Sequence, residues 1–355
     1  MKMQDNSIFL IKGTESKATK KTDKGKEIEK YMEGKYNQLE VAPSWQMIGD
    51  LKDELFIYSA YYDDRDFEMP VVKLIGVTRL EIQIKLMCRM YFGRNNTMNK
   101  KLEKSPEESY NYSSFNESRL FSVDVPAKVS FMNEHHNFSH SACFILCPIN
   151  IQSDDQNSSP KLVSIHSKSQ SNIITNFITI NNLKNIALNH SPEETDDIGV
   201  CVKPIYSNYN QTLDLIEFIE LNKILGVSKF TFYNQSMSNQ ASCVLDYYSD
   251  QMGTQLSVRT WNLRAHDSHM DIHDEAGMAA LNDCVYHNMK NVKYLLMIDL
   301  DEFIVPHMNN TLQEMLEFLN SKEIKMKSGR QVRSGKLASS YNFKNAFFYP
   351  KNGKY

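Results

Sequence analysis

Residues 294–306 read YLLMIDLDEFIVP: five apolar residues, then Asp299 and Asp301 separated by one leucine. An apolar run this short is the length of a fully buried strand rather than of a helix. Two carboxylates directly after such a strand are costly to hold near a core unless a cation or another partner offsets their repulsion. A hard divalent ion does so, because Mg²⁺ and Mn²⁺ favour carboxylate oxygens and keep substrate phosphates as further ligands. The plainer explanation is that aspartates end strands and cap the turns that follow. An isolated Asp-x-Asp carries little information, so its weight depends on the elements around it. Glu302 is either a further acceptor for the pair or a solvated neighbour.

Upstream of this stretch the chain alternates strand and helix. Residues 199–206 form a strand pattern, and 212–225 a helix with Leu215, Phe218, Ile219 and Leu225 on one stripe and Gly226 as its stop. A strand over 229–233 follows, then a helix carrying Ala241, Val244, Leu245 and Tyr248 that ends by Gly253, then a strand over 255–261. A third helix places Leu281, Cys284, Val285 and Met289 on one face before the strand at 294–298. Thr311 and Glu314 form a capping box for a fourth helix buried through Leu312, Met315, Leu316 and Leu319. Another strand is expected over 341–348. Strands returning through helices predict an α/β fold with a mostly parallel sheet and helices on both faces. Ligands of such sheets bind beyond the carboxyl ends of the strands. Pro204, Tyr206, Asn234, Trp261, Asp299 and Asp301 occupy those ends.

The preceding region differs. Over 51–180, β-type runs at 55–62, 71–77, 128–131, 142–147, 162–165 and 173–180 are separated by polar stretches, without helical patterns between them. They predict an antiparallel accessory layer. The expected division is a poorly ordered tail over 1–50, a β-rich region over 51–192 and an α/β domain over 193–355. With 355 residues, 41% hydrophobic, 23% charged and a net charge of -3, the chain is ordinary for a globular protein and lacks the basic balance of a nucleic-acid binder. No apolar run approaches the ~20 residues of a bilayer-spanning helix, and no signal-peptide core is visible.

Six cysteines, Cys88, Cys143, Cys147, Cys201, Cys243 and Cys284, permit disulfides without fixing their pairing, and buried thiols explain them equally well. Glycosylation triplets begin at Asn95, Asn111, Asn116, Asn137, Asn157, Asn189, Asn210, Asn234 and Asn309, which favours a lumenal setting. His266, His269 and His273, with Asp267, Asp271 and Asp274 among them, offer metal-ligating types but lack the His-Glu-x-x-His spacing. A solvated loop, or one wall of a ligand pocket, explains them better. His135, His136 and His140 read as an exposed turn. Tyr58, Tyr61 and Tyr62 read as core packing before a sugar-stacking face. No Gly-x-Ser-x-Gly elbow or Walker-type loop is present.

The segments CVKPIY (201–206), EFIELNKILGVSKFTFYN (217–234), AALNDCVYHNM (279–289) and YLLMIDLDEFIVP (294–306) resemble glycosyltransferase family 92, and LFIYSAYYDDR (55–65) resembles the strands that precede its catalytic part. The resemblance implies a GT-A type fold, a UDP-sugar donor (galactose in characterised relatives), inverting transfer to a glycan or glycoprotein acceptor, and Mn²⁺ or another divalent cation held by Asp299 and Asp301. It also implies that Pro204, Tyr206 and Asn234 sit near uridine and that Asn282 and Asp283 face the donor. For those last two, the polar side of an amphipathic helix is an equal explanation. Ala276 and Gly277 stand where the family usually has Gly-Gln. The family further implies the Golgi lumen or membrane, reached through an N-terminal anchor not seen in this sequence, and more chain after Tyr355. The general base is unassigned. The alternatives are a catalytically impaired glycan-binding or assembly relative and a metal hydrolase using the histidine loop.

Overall fold

A computed structural model describes residues 44–49, 51, 54–66, 69–82, 85–93, 120–149, 159–170, 176–183, 197–250, 255–263, 270–321 and 340–344. Its first part is a sandwich of two antiparallel sheets. One contains β1 (Gln46–Met47), β2 (Leu55–Asp63), β3 (Val71–Arg79), β6 (Lys128–Phe131) and β7 (His140–Pro148), in the order β1-β2-β3-β7-β6. The other contains β4 (Leu86–Gly93), β5 (Leu120–Pro126), β8 (Leu162–Ser167) and β9 (Ile178–Thr179), in the order β5-β4-β8-β9. Ile57, Leu74 and Ile145 from the first sheet meet Met90, Phe92 and Ile165 from the second in one apolar layer. A disulfide between Cys88 of β4 and Cys147 of β7 ties the two sheets together.

Three of these strands were not anticipated. β1 is two residues long. In β4, LMCRMYFG, Met87 occupies an outward position, which blurs the alternation that buries Cys88 and Met90. β5, LFSVDVP, does alternate, with Ser122 and Asp124 exposed opposite Phe121, Val123 and Val125. Of the run expected at 173–180, β9 keeps only two residues, and 171–175 lie outside the described residues.

The second part is a parallel sheet of four strands: β10 (Ile198–Ile205), β11 (Val227–Asn234), β12 (Gln255–Thr260) and β13 (Tyr294–Met297), in the order β12-β11-β10-β13. Helices α1 (Thr212–Ile224), α2 (Asn239–Ser249), α3 (Gly277–Asn288) and α4 (Leu312–Ser321) connect or follow its strands. The two-residue period of a strand sends alternate side chains to opposite faces. Val200, Val202, Phe230 and Phe232 therefore pack with Leu215, Phe218 and Ile219 of α1, Leu245 of α2 and Leu316 of α4. Cys201 and Tyr233 point the other way, towards α3.

Local signals end these helices as the sequence predicts. Gly226 follows α1 with φ +101, a conformation that favours glycine. At α4, Thr311 Oγ1 accepts from Glu314 N at 3.2 Å, while Glu314 Oε2 accepts from Asn310 N at 2.9 Å, one residue before the expected reciprocal contact. Gly253 lies outside the described residues. Residues 340–344 form no strand, so the element expected at 341–348 is absent as far as it is described. Tyr341 instead donates its hydroxyl to the side chain of Asn320 on α4.

Helix α3 lies between the two parts. On one side Ala280 and Cys284 approach the parallel sheet, where Cys284 forms a disulfide with Cys201 of β10. On the other side the same cluster takes in Tyr58 and Tyr61 of β2 and Ile75 and Val77 of β3. β2 is consequently buried on both faces, a shift in its register with β3 between Ile57 and Ser59 helping to direct its side chains. Tyr58 and Tyr61 belong to this core, as the packing reading predicts, and Tyr62 is half-buried.

Candidate functional site

In the parallel sheet the chain passes from β10 to β11 and β12 on one side, then returns to place β13 on the other side of β10. The carboxyl ends of β10 and β13 thus flank the point where strand order reverses, the location at which open α/β sheets bind ligands. Asp299 and Asp301 follow β13 here, and Lys203 stands near the end of β10.

Lys203 Nζ lies 3.1 Å from Asp274 Oδ2 and 3.5 Å from Asp299 Oδ2, bridging two carboxylates brought from different loops. Partial burial works against the charge of Lys203, but hydrogen bonding and attraction from Asp274 and Asp299 outweigh it and raise its pKa. Asp299 is the mirror case. Partial burial pushes its carboxyl above the ordinary value, Lys203 opposes this, and the charges of Glu302 and Asp274 add to it. Glu302 Oε2 also accepts from Asp299 N at 3.2 Å, which shows it turned back towards the acidic turn. Asp301 is exposed; in the loop after β10, burial, then the charge of Asp214 and lastly that of Asp301, raise the pKa of the half-buried Tyr209.

The other residues expected at this end divide into two groups. Pro204 is buried within β10, Tyr206 is exposed just beyond it, and Asn234 is half-buried at the end of β11, where its carbonyl accepts from Trp261 N at 2.8 Å. All three share the carboxyl end of the sheet with Asp299 and Asp301. Asn282 and Asp283 lie on α3 and are engaged by other groups. Asn282 Nδ2 donates back to Met278 O at 2.8 Å within α3 and lies 3.4 Å from Met132 Sδ of the sandwich.

Asp283 is fully buried. Its Oδ1 accepts from Ser59 Oγ at 2.5 Å and Tyr61 Oη at 2.7 Å, and its Oδ2 from Tyr233 Oη at 2.7 Å. Arg259 Nε faces Oδ2 at 3.0 Å, close enough for an ion pair but without hydrogen-bond alignment. Burial, reinforced by the Asp283 charge, pushes the Tyr61 and Tyr233 hydroxyls well above the usual phenol range, so both stay protonated donors. Asp283, which the resemblance would have face the donor, spends its acceptor capacity on the sandwich and the sheet.

The turn before α3 completes the site. Asp274, Glu275 and Ala276 have φ of 49, 49 and 62, three successive left-handed residues without glycine. Glu275 fixes this turn twice, its carbonyl accepting from Trp261 Nε1 at 2.8 Å and its Oε2 from Gln235 Nε2 at 2.7 Å. Gly277 then opens α3, and a Cβ there would come within 2.9 Å of Asp274 Oδ2 and 3.3 Å of Lys203 Cδ. Lys203 and Asp274 were not identified as site residues from sequence. The signal for Lys203 was a lone charge inside the strand run CVKPIY, and Asp274 lay among the histidine-loop acids. Of that loop, 264–269 lie outside the described residues, so His266, Asp267 and His269 are not placed.

Among the described residues, no three His, Cys, Asp or Glu side chains are gathered to hold a metal ion. The carboxylates near the end of β13 are nevertheless hard oxygen donors, and Asp299 sits where burial and like charge resist its ionisation. Such a group gains from a cation, and sites that also engage substrate phosphates need only one or two protein carboxylates.

A parallel nucleotide-type α/β sheet with an acidic turn at its switch point is one arrangement used by nucleotide-dependent transferases. Residues 196–354 of this chain match the model of glycosyltransferase family 92. A Caenorhabditis elegans protein named beta-1,4-galactosyltransferase galt-1 is 29% identical over 119 residues, covering 33% of this chain and 27% of that protein. The chain therefore spans about a quarter of the length of this curated relative. Among solved structures, a calcium-binding mutant of Bacteroides uniformis beta-glucuronidase 2 aligns at TM-score 0.18 and 9% identity over 73% of this chain and 29% of that one, a likeness too low to carry an argument.

Proposed function

We propose that this chain is a metal-dependent glycosyltransferase of GT-A type, transferring a hexose from a UDP-sugar, with galactose the favoured donor, to a glycan or glycoprotein acceptor with inversion. The observation that carries the reading is the position of Asp299, beside Lys203, and of Asp301 after β13 at the switch point, within a segment that matches the family. Asp299 and Asp301 would hold Mn²⁺ or another divalent cation. When bound, that cation supplies Lewis-acid stabilisation of the diphosphate charge. Lys203 is placed to contribute a second positive charge at the same end of the sheet, its ammonium exchanging carboxylate for phosphate partners. Tyr206 and Asn234 offer polar contacts to the nucleotide, with Pro204 shaping the strand end beneath them. The two disulfides suit an oxidising compartment and support a secretory-pathway setting, the Golgi lumen being the family's expected place. Among the described residues no helix is long and apolar enough to cross a membrane.

Calorimetry with UDP and Mn²⁺ tests the donor half. Wild-type protein should bind UDP only with the metal, and Asp299→Asn combined with Asp301→Asn should abolish that binding. Undiminished binding by the double variant would remove the metal role from both aspartates.

A further inference from the structure

The glycosylation triplets that begin at Asn137, Asn210, Asn234 and Asn309 fall on described residues, and the fold treats them differently. Each triplet supplies an amide acceptor and, two residues on, a hydroxyl. An attached oligosaccharide is bulky and belongs on an open surface loop, so backbone placement sorts the triplets.

Asn137 is exposed at a tight turn in the loop joining β6 to β7. Phe138 N donates to His135 O at 3.0 Å, and Asn137 N donates to His135 Nδ1 at 3.2 Å. Its φ of 63 is left-handed, a region that asparagine tolerates better than most residues. These contacts engage backbone only, and the side-chain amide of Asn137 has no hydrogen-bond partner among the described residues. Asn210 is exposed in the loop between β10 and α1, where its carbonyl accepts from Thr212 N at 2.9 Å. Its side-chain amide is equally free among the described residues. The surface around it is open: Asn208 and Gln211 are exposed, and Leu213 is 77% exposed.

Asn234 is the contrasting case. It closes β11, which has β10 on one side and β12 on the other, in register with Ile205 and Thr260. Its carbonyl accepts from Trp261 N at 2.8 Å, and the next two residues, Gln235 and Ser236, both donate their N–H groups to Ile205 O. Half-buried and held from both sides, it offers a sugar chain no open loop to occupy. Asn309, half-buried in the loop before α4, is intermediate between the two cases.

An independent observation concerns the compartment. The sandwich, which carries Asn137, holds the Cys88–Cys147 disulfide, and Cys201–Cys284 joins the parallel sheet, which carries Asn210, to α3. Disulfides form in the endoplasmic reticulum lumen, the setting in which such triplets are also modified.

We infer that Asn137 and Asn210 carry N-linked oligosaccharides and that Asn234, despite its triplet, does not. In the modifying reaction the asparagine Nδ2 attacks the anomeric carbon of a lipid-linked diphospho-oligosaccharide. An N–C bond forms, the C–O bond to the diphosphate breaks, the lipid diphosphate leaves, and one amide proton passes to a base of the modifying enzyme. One sugar chain then stands on the sandwich and the other on the loop that carries Tyr206 at the carboxyl end of the sheet. The inference rests on the secretory-pathway setting proposed above and is independent of the transfer chemistry.

The test expresses the full chain behind a cleavable secretion leader in eukaryotic cells. The soluble fraction holding both disulfides is treated with peptide N-glycosidase in heavy-oxygen water, which turns each modified Asn into labelled Asp, and is mapped by peptide mass spectrometry. Label is expected at Asn137 and Asn210, with Asn234 unchanged. Asn137→Gln and Asn210→Gln should each raise gel mobility by one sugar chain, and Asn234→Gln should leave it unaltered. Label at Asn234, or an unmodified Asn137 or Asn210 in the disulfide-bonded fraction, overturns the site assignment alone. Failure of the disulfides to form in the directed chain overturns the compartment reading and the sites with it.

Discussion

Replacing Asp283 by alanine should be among the most damaging single changes available in this chain. The carboxylate is fully buried, accepts from three hydroxyls and faces Arg259, whose side chain is only 7% exposed. Removing one partner of a buried ion pair leaves the other charge uncompensated and costs about 3–5 kcal/mol. Ser59, Tyr61 and Tyr233 would lose their acceptor at the same time. These losses share one network and do not add, so a total of roughly 4–6 kcal/mol is expected. The assay is urea unfolding without reductant, followed by tryptophan fluorescence. The chain has two tryptophans, Trp45 and Trp261, whose rings lie 4.9 Å apart in the cluster around α3, so the signal reports on this junction. Asp283→Ala should lower the midpoint steeply, and Asp283→Ala with Arg259→Met should cost less than the sum of the single changes by about 1–3 kcal/mol. A loss below about 1 kcal/mol for Asp283→Ala, or strict additivity of the pair, would show that water compensates these groups and refute the buried-network account.

Two further outcomes follow from the same packing. Replacing Cys201 and Cys284 together by serine opens a link spanning 83 residues and should cost about 4.6 kcal/mol by the loop-entropy relation, read as a lower urea midpoint. Asp63 should contribute to the acid limb of stability. Hydrogen bonds from Arg65, then from Lys73, hold its carboxyl well below the usual range against the opposing effect of burial. Because its folded pKa is depressed, the stabilisation is complete above the unfolded value near ~3.9 and is lost as pH falls towards the folded value. Asp63→Asn should therefore reduce stability at neutral pH and flatten its decline between about pH 5 and pH 2, as followed by fluorescence.

The parallel half was largely legible because its elements carry two independent signals each, a periodicity and a stop. Gly226 and the Thr311–Glu314 cap mark helix ends chemically, and the apolar stretch at 294–298 identifies β13 without help from its neighbours. The sandwich was less legible. β4 is built from leucine, methionine and aromatic residues whose outward Met87 hides the alternation, so only its pairing with β5 and β8 reveals it. At the site, position after a strand located Asp299 and Asp301 correctly at the sheet end. The roles of polar residues on α3 were not readable in the same way. A helix with partners on both sides has no solvent face to which Asp283 can be assigned, and two of its three hydroxyl donors come from residues more than 200 positions away. The bridge from Lys203 to Asp274 and Asp299 was hidden for the same reason, since it joins a strand to two separate turns through backbone geometry that no local pattern encodes.

The placement of α3 between sandwich and sheet separates two kinds of boundary. The match to the family model begins at residue 196, but cooperative structure does not. A fragment cut there would keep Trp261, Tyr233 and Ala280 while losing Tyr58, Tyr61, Ile75 and Val77, the residues that cover them, and would bare an aromatic patch around a half-solvated Asp283. Expressed alone, such a fragment should aggregate, whereas coexpression with the sandwich should restore it. The sandwich therefore behaves as a structural companion of the parallel-sheet half. Changes on its inner face are constrained by the partner it covers.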